Sequence, residues 1–176
     1  SDFIDTFVTE RDATKLRNPE HVLDQLKKVR VCDPACGSGA YLLGILHELI
    51  ELRQALFINQ NIDFSTMYDR KLEIIRENLY GVDIDPFAIN IARLRLWLSL
   101  IVDFNGSVPQ PLPNLEFKIE IGDSLSAPDP SGGIQPDLFR QHQIDRFIEL
   151  KSNYIQAHGS EKILLREMIK KQKEVI

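Results

Sequence analysis

The sequence has little cysteine, no excess of positive charge and no long apolar run without charges. Its two cysteines, Cys32 and Cys36, are too few for a disulfide scaffold and indicate a reducing compartment. The formal net charge of −5 argues against a stand-alone nucleic-acid clamp, which is usually basic. The most apolar stretch, residues 87–104, carries Arg93 and Arg95 in its middle, which favours a buried helix over a membrane span.

The cysteines do not form the pattern of a metal site. They stand four residues apart, with no second cysteine pair and no histidine nearby. A structural metal site needs about four ligands, commonly cysteines and histidines. We therefore expect no metal site and interpret Cys32 and Cys36 as small buried residues. The remaining composition, 43% apolar and 27% charged over 176 residues, is that of an ordinary globular domain.

The string DPACGSG at residues 33–39 is the most informative part of the chain. It follows a β-prone run, residues 29–32, and opens an apolar helical pattern, which is the order of a nucleotide-type binding loop. Gly37 and Gly39 allow a tight turn and a close approach to a ligand. Asp33 would repel a phosphate but would hold an ammonium group. S-adenosylmethionine, with a nucleoside at one end and an amino-acid ammonium at the other, fits such a loop.

Two other nucleotide-binding loops are excluded. The dinucleotide fingerprint needs a third glycine or alanine at the position that Leu42 occupies. The P-loop needs a lysine directly after its last glycine, but Ile45 follows Gly44. The string therefore belongs to neither class.

Hydrophobic periodicity predicts alternating helices and strands between residues 19 and 121. The predicted helices cover residues 19–26, 39–57, 69–78 and 86–103, and the predicted strands cover residues 29–33, 79–82 and 116–121. In the last strand, Phe117, Ile119 and Ile121 are expected on one face. This order implies an α/β fold with a parallel sheet, and residues 1–18 receive no role.

An acidic residue follows each of the three predicted strands: Asp33, Asp83 and Asp123. Ligands of open parallel sheets bind beyond the carboxyl ends of the strands, where these residues stand. A single acid there would be explained as a solvated loop residue, but three at successive strand ends indicate a binding site. Asp85 and Pro86 are instead interpreted as the N-cap and first residue of a helix.

The C-terminal part of the sequence predicts a helical hairpin. Amphipathic helices are expected over residues 137–157 and 160–176, with Gly159 as the stop between them. The expected apolar positions are Ile144, Phe147, Ile148, Tyr154 and Ile155 in the first helix, and Leu164, Leu165, Met168 and Ile169 in the second. The predicted organisation is a helical lead-in (1–28), an α/β core (29–126), a Pro/Gly/Ser-rich linker (127–136) and the hairpin (137–176).

The DPACGSG string resembles the first motif of the amino-group DNA methyltransferases that modify adenine N6. LYGVDIDP at residues 79–86, with RLWL at 95–98, is similar to their second motif, and GDSL at 122–125 to their third. The likeness is to large restriction–modification and phage-defence enzymes of the type IIG kind, and it covers residues 29–126. It implies a Rossmann-like S-adenosylmethionine-dependent methyltransferase fold with a partial parallel sheet, followed by the hairpin.

The resemblance also implies roles for individual residues. Asp33 would bind the methionine ammonium, and Asp83 would accept both ribose hydroxyls through its two oxygens. Ile84 would pack on the adenine face, Asp123 would accept from the adenine amino group, and Leu125 would add apolar contact. The backbone amides of the loop would approach the methionine end. The expected cofactor-binding residues are Asp33, Pro34, Ala35, Cys36, Gly37, Gly39, Asp83, Ile84, Asp123 and Leu125.

The sequence departs from the family pattern in its catalytic motif. That motif, Asn/Asp-Pro-Pro-Tyr/Phe, requires adjacent prolines, which this sequence does not contain. We therefore assign no catalytic residue and expect a fragment that is inactive by itself. The resemblance implies double-stranded DNA as partner, contacted mostly elsewhere, with other restriction–modification or defence subunits as candidate partners, in the bacterial cytoplasm. A methyltransferase acting on RNA, protein or a small molecule, or a non-catalytic cofactor-binding module, stays open.

Overall fold

The computed structural model describes residues 2–63, 65–104, 115, 118–126, 145–147, 149–151, 153–154, 157 and 159–173. The helices are α1 (Asp2–Glu10), α2 (Pro19–Lys28), α3 (Ala40–Gln60), α4 (Met67–Glu77), α5 (Pro86–Ile101) and α6 (Gly159–Lys173). The strands are β1 (Val31–Asp33), β2 (Leu79–Asp83) and β3 (Ile119–Ile121). The chain divides into two compact units, Ser1–Ser126 and Ala127–Ile176.

The strands form a parallel sheet in the order β1-β2-β3. Val31 pairs with Leu79 between the first two strands, and Gly81 pairs with Ile119 between the last two. Helices α3 and α5 lie in the two crossover connections and contact β2. The expected α/β fold with a parallel sheet is therefore confirmed, and the carboxyl ends of all three strands meet at one edge.

The main core of the first unit lies between the sheet and helices α3, α4 and α5. Its fully buried apolar side chains include Leu42, Leu46, Ile74, Ile75, Leu79, Ile89, Leu96, Leu100 and Ile119. Burial of each such side chain stabilises the fold by roughly 1.5–3 kcal/mol. This core fixes the strand ends relative to the first turns of α3 and α5.

Residues 1–18, which received no role from the sequence, contribute a second apolar cluster. Phe7 of α1 is 1% exposed and belongs to a cluster with Leu52 and Leu56 of α3. Ala13 and Leu16, between α1 and α2, and Ala55 of α3 also belong to it. Residues 1–18 therefore pack against the C-terminal half of α3.

Helix boundaries follow the predicted caps closely. Asn18 caps α2, accepting a hydrogen bond from the backbone of His21, and Pro19 occupies the first helical position. The predicted end of α3 was too early, because the helix continues to Gln60 before Asn61 takes a left-handed conformation, with φ of 58°. In β3, Ile119 is buried, whereas Ile121 at the strand end is 48% exposed.

The expectation that both cysteines are buried is confirmed for one of them and wrong for the other. Cys36 is buried, as expected, but Cys32 is exposed. Cys32 lies in register with Tyr80, and successive side chains of a strand point to opposite faces. It therefore lies on the sheet face opposite the buried Leu79 and Gly81. Among the described residues, no cluster of potential ligands could hold a metal ion.

The described residues of the second unit are helical, except for Ala157. Residues 145–147, 149–151 and 153–154 are helical, and Gly159, with φ of 61°, precedes the rest of α6. Ile169 is fully buried, but Leu164 is 64% exposed, so its expected place on the apolar face was wrong. The predicted linker, 127–136, lies outside the described residues. No helix in the described part of the chain has the length and apolarity of a membrane span.

Candidate functional site

The connection between β1 and α3 is a tight turn built on two glycines. Gly37 and Gly39 both have positive φ, 50° and 79°, which side chains disfavour. Gly39 also donates its N–H to the Cys36 carbonyl over 2.8 Å and begins α3 as its N-cap. A Cβ atom at Gly39 would lie 3.0 Å from the Cβ of Ala92, so α5 packs directly against the turn.

The parallel register brings the three acidic residues to one edge of the sheet. Asp33 pairs with Gly81, two residues before Asp83, and Asp83 pairs with Ile121, two residues before Asp123. The Gly122 amide donates to the Asp83 carbonyl over 3.0 Å, which extends the pairing past the end of β3. Adjacent parallel strands lie about 4.8 Å apart, so the three acidic residues line one edge of the sheet.

Each of the three aspartates forms the same local turn. The Oδ1 atom accepts a hydrogen bond from the amide two residues ahead: Ala35 to Asp33 at 3.1 Å, Asp85 to Asp83 at 2.9 Å, and Leu125 to Asp123 at 3.0 Å. Such Asx turns reverse the chain directly after each strand. The aspartates therefore have a structural role at the strand ends in addition to any role in binding.

Hydrogen bonds also join the three loops to each other. Asp83 Oδ2 accepts from the Gly37 amide at 2.7 Å, which ties the β1–α3 turn to the end of β2. Ser124 Oγ donates to the Pro34 carbonyl at 2.6 Å, which ties the same turn to the loop after β3. The Cys36 amide donates to the Val82 carbonyl at 2.9 Å. The edge is thus one connected structure.

Hydrogen bonds favour the ionised form of two carboxylates at this edge, Asp83 and Asp123. Backbone hydrogen bonds from Asp85 and Gly37 hold the pKa of Asp83 below its usual range. Hydrogen bonds from Ser126 and Leu125 lower the pKa of Asp123 in the same way. The site therefore presents negative charge and suits cationic or hydroxyl-bearing ligand groups.

Cys36 lies beside these carboxylates, in surroundings that disfavour its thiolate form. Burial, followed by the charges of Asp33 and Asp83, raises the pKa of its thiol to about 11. The reactive form of a cysteine is the thiolate, which such a pKa disfavours at neutral pH. Its side chain instead lies close to Gly81, where an added Cβ would come within 3.0 Å of Sγ.

Apolar side chains at the same edge are unusually exposed. Ile84, directly after Asp83, is 71% exposed, and Leu125, two residues after Asp123, is 98% exposed. Phe87, in the first turn of α5, is also 71% exposed and was not among the expected site residues. Apolar groups next to a charged edge provide surface for the flat face of a ligand.

The expected helix cap at Asp85 is confirmed. Its Oδ1 accepts from the Phe87 amide at 2.8 Å, and Pro86 follows at the first helical position. Asp85 therefore serves α5. The loop amides of Ala35, Cys36 and Gly37, expected to face a ligand, each donate to an acceptor within the protein.

Two residues of the site were missed by sequence reasoning. Ser124 contacts Pro34 across 90 positions of sequence, and Arg95 of α5 donates to Ser38 across 57. No local pattern marks either contact. The presence of Ser124 and Arg95 within the strings GDSL and RLWL was the only available signal.

Two families of known proteins match the chain, each over more than half of its length. Residues 9–108 match the family described as the MmeI DNA-methyltransferase domain, and residues 77–175 match the Eco57I restriction-modification methylase. The two matched regions overlap over residues 77–108, which include β2 and α5.

Three curated relatives are similar to the chain. A protein of Methanocaldococcus jannaschii named as a type II restriction enzyme and methyltransferase is 36% identical over 180 residues, covering 93% of this chain. The adenine-specific methyltransferase PglX of Streptomyces coelicolor is 28% identical over 85% of this chain. DNA methyltransferase A of Bacillus subtilis is 31% identical over 50% of this chain.

The relatives are much longer than the matched region. The chain spans 14%, 11% and 10% of their respective lengths. No solved structure matches the chain.

Proposed function

The chain belongs to the restriction–modification DNA methyltransferases of the MmeI and Eco57I families, and on this premise we propose that its acidic sheet edge binds S-adenosylmethionine. The resemblance of its motifs to such enzymes is thereby confirmed. In the full-length protein, this part would supply the methyl donor for transfer to adenine N6 in double-stranded DNA, in the bacterial cytoplasm.

The observation that carries the proposal is the set of three aspartates at adjacent strand ends, next to exposed apolar side chains. Asp33 would hold the ammonium of the methionine part; among the described residues, no donor contacts its Oδ2 atom. Asp123 would accept from the adenine amino group. Ile84 and Leu125, both exposed, would cover the adenine faces.

Asp83 has the capacity for two further hydrogen bonds. Its Oδ1 and Oδ2 atoms accept from Asp85 and Gly37. Each carboxylate oxygen has two lone pairs, so one remains on each oxygen for a ribose hydroxyl. The same contacts keep Asp83 ionised and oriented before a ligand arrives.

The chemistry proposed for the full-length protein is direct attack of the adenine amine on the sulfonium methyl group. Such a transfer needs positioning and electrostatic stabilisation rather than a covalent enzyme intermediate. Because its pKa is raised, the Cys36 side chain favours the thiol form at neutral pH, which agrees with a mechanism that needs no thiolate nucleophile. An adenine in duplex DNA would have to be flipped out to reach the donor. We expect the residues that hold the flipped base, and most DNA contacts, outside these 176 residues.

A methylation assay tests this proposal. The full-length protein, incubated with duplex DNA and methyl-labelled S-adenosylmethionine, should yield N6-methyladenine on nucleoside analysis. Residues 1–176 alone should yield none, because no Asn/Asp-Pro-Pro-Tyr/Phe motif is present. Asp83→Ala in the full-length protein should reduce the initial rate about a hundredfold or more, through loss of donor binding and loop order.

Two results would contradict the proposal. Methylation of adenine by the 176-residue chain alone would show that the acceptor site lies within it. Methylation of RNA or protein, with no labelled adenine in DNA, would assign the donor site to a different substrate class.

A further inference from the structure

Helix α5 holds the β1–α3 turn through two residues on one face. Ala92 packs against Gly39, where an added Cβ would approach to 3.0 Å. Arg95, three positions later on the same face, donates from Nη1 to both the carbonyl and the hydroxyl oxygen of Ser38, each at 3.1 Å. The turn is thus fixed from the helix side at two consecutive residues.

Ser38 carries the loop amide that is left available for a ligand. The neighbouring amides of Ala35, Cys36, Gly37 and Gly39 all donate within the protein. In the part of the chain that the structure describes, the Ser38 amide has no acceptor. The orientation of Ser38 therefore decides where this free donor points.

From these contacts we propose that Arg95 is a positioning residue for the methyl donor. It holds Ser38 by its carbonyl and side chain, and so fixes the turn in the form that receives the methionine end of the ligand. Arg95 acts through Ser38 and is not assigned a contact with the ligand. This inference rests on the proposed binding of S-adenosylmethionine.

The contact is suited to positioning rather than to overall stability. Arg95 is exposed, and hydrogen bonds at the surface contribute little to the free energy of unfolding. The core beneath the turn is held by buried apolar side chains of α3 and α5, including Leu42 and Leu96. Loss of the Arg95 contact should free Ser38 while leaving this core intact.

The test measures the affinity of two ligands for the wild-type 176-residue chain and for a set of its variants. Calorimetric titration with S-adenosylmethionine measures the whole ligand, and titration with adenosine measures the nucleoside part alone. Arg95→Met keeps the aliphatic stem but removes the donors. Arg95→Lys restores one donor. Arg76→Met is the matched control. Arg76 is an exposed residue of α4, and its side chain forms no hydrogen bond or ion pair with the described residues.

Arg95→Met should weaken S-adenosylmethionine binding about tenfold and change adenosine binding by less than a factor of about two. Arg95→Lys should recover part of the loss, and Arg76→Met should match the wild type. The double variant Arg95→Met with Ser38→Ala should lose less affinity for S-adenosylmethionine than the sum of the two single losses, because both substitutions remove the same hydrogen bond.

Three outcomes would overturn the inference, and they are distinguishable. Unchanged S-adenosylmethionine affinity in Arg95→Met would refute positioning while leaving the donor site in place. Equal weakening of both ligands, with a lower urea midpoint, would make Arg95 a purely structural residue. Absence of S-adenosylmethionine binding by the wild-type chain would refute the proposed donor site, and this inference with it.

Discussion

At the scale of single residues, each of the three aspartates at the strand ends closes an Asx turn. Asp83 has a second task, because it also accepts a hydrogen bond from the Gly37 amide. The position of all three could be predicted from the sequence, because strand ends follow from periodicity and turn residues. The bond from Gly37 to Asp83 could not be predicted, since it depends on the relative placement of two loops 46 positions apart.

The glycines of this region should differ sharply in their response to alanine. Gly44→Ala, at an exposed position in the second turn of α3, meets no atom within 4 Å and should stabilise the chain by about 0.5–1 kcal/mol. Gly37→Ala, strained only by its positive φ, should destabilise it by about 1–2 kcal/mol. Gly39→Ala adds the clash with Ala92 and should destabilise it by roughly 2–4 kcal/mol.

Urea unfolding of the three variants, followed by circular dichroism, measures this order. Gly44→Ala serves as the control for the substitution itself. Equal stability of Gly37→Ala and Gly39→Ala would show that α5 does not pack tightly against the turn.

At the scale of elements, the connection between α3 and α4 depends on a buried ionic cluster. Arg53, 1% exposed, donates to Asp63 at 2.6 Å and to Glu73 at 2.7 Å, and Arg70 donates to the Asp63 carbonyl at 3.0 Å. Burial acts to raise the pKa of Asp63, but hydrogen bonds from Arg53 and Ser65 outweigh it and hold this pKa below its usual value. This connection lies between the predicted helices 39–57 and 69–78, and no sequence pattern marked the ionic cluster.

Asp63→Asn should therefore destabilise the chain strongly and in a pH-dependent way. Removal of one partner of a buried pair leaves a buried charge unpaired, and we expect a loss of about 3 kcal/mol near pH 7. Since the folded-state pKa is lowered, the contribution of Asp63 is complete above the unfolded pKa of about 3.9 and is lost as the pH falls through the folded value.

Urea unfolding of wild type and variant over a range of pH measures this effect. The difference should stay constant above about pH 5 and close at lower pH. Asp24→Asn, which removes an exposed ion pair with Lys28, should cost less than about 1 kcal/mol. A pH-independent difference for Asp63→Asn would mean that packing, not charge, holds the connection.

Burial is predicted least well from the sequence in helices that pack against residues far away in the chain. Residues 1–18 show no clear pattern, yet α1 buries Phe7 against α3. In α6, periodicity marked both Leu164 and Ile169 as apolar positions, but only Ile169 is buried. Hydrophobic periodicity predicts that a helix forms, whereas the elements packed against the helix decide which of its apolar side chains are buried.

At the scale of the whole molecule, the chain belongs to the restriction–modification DNA methyltransferases, and our proposal assigns the methyl-donor site to it. The two family matches overlap over β2, α5 and the turn between them, which carry Asp83, Arg95 and Ile84 respectively. The α/β fold and the strand-end acids followed from the sequence because local patterns encode them. The network that joins the loops, through Ser124, Gly37 and Arg95, is a property of the folded chain.

The central claim is that the acidic sheet edge binds S-adenosylmethionine through Asp83. Its most direct test is calorimetric titration of S-adenosylmethionine into the wild-type chain, Asp83→Ala and Asp12→Ala. Asp12 forms the same Asx turn, with the Thr14 amide at 2.9 Å, but lies between α1 and α2. We predict binding by the wild type and Asp12→Ala with equal affinity, and a loss of about tenfold or more in Asp83→Ala. Equal affinity of all three proteins, or no binding by a folded wild-type chain, would contradict the account.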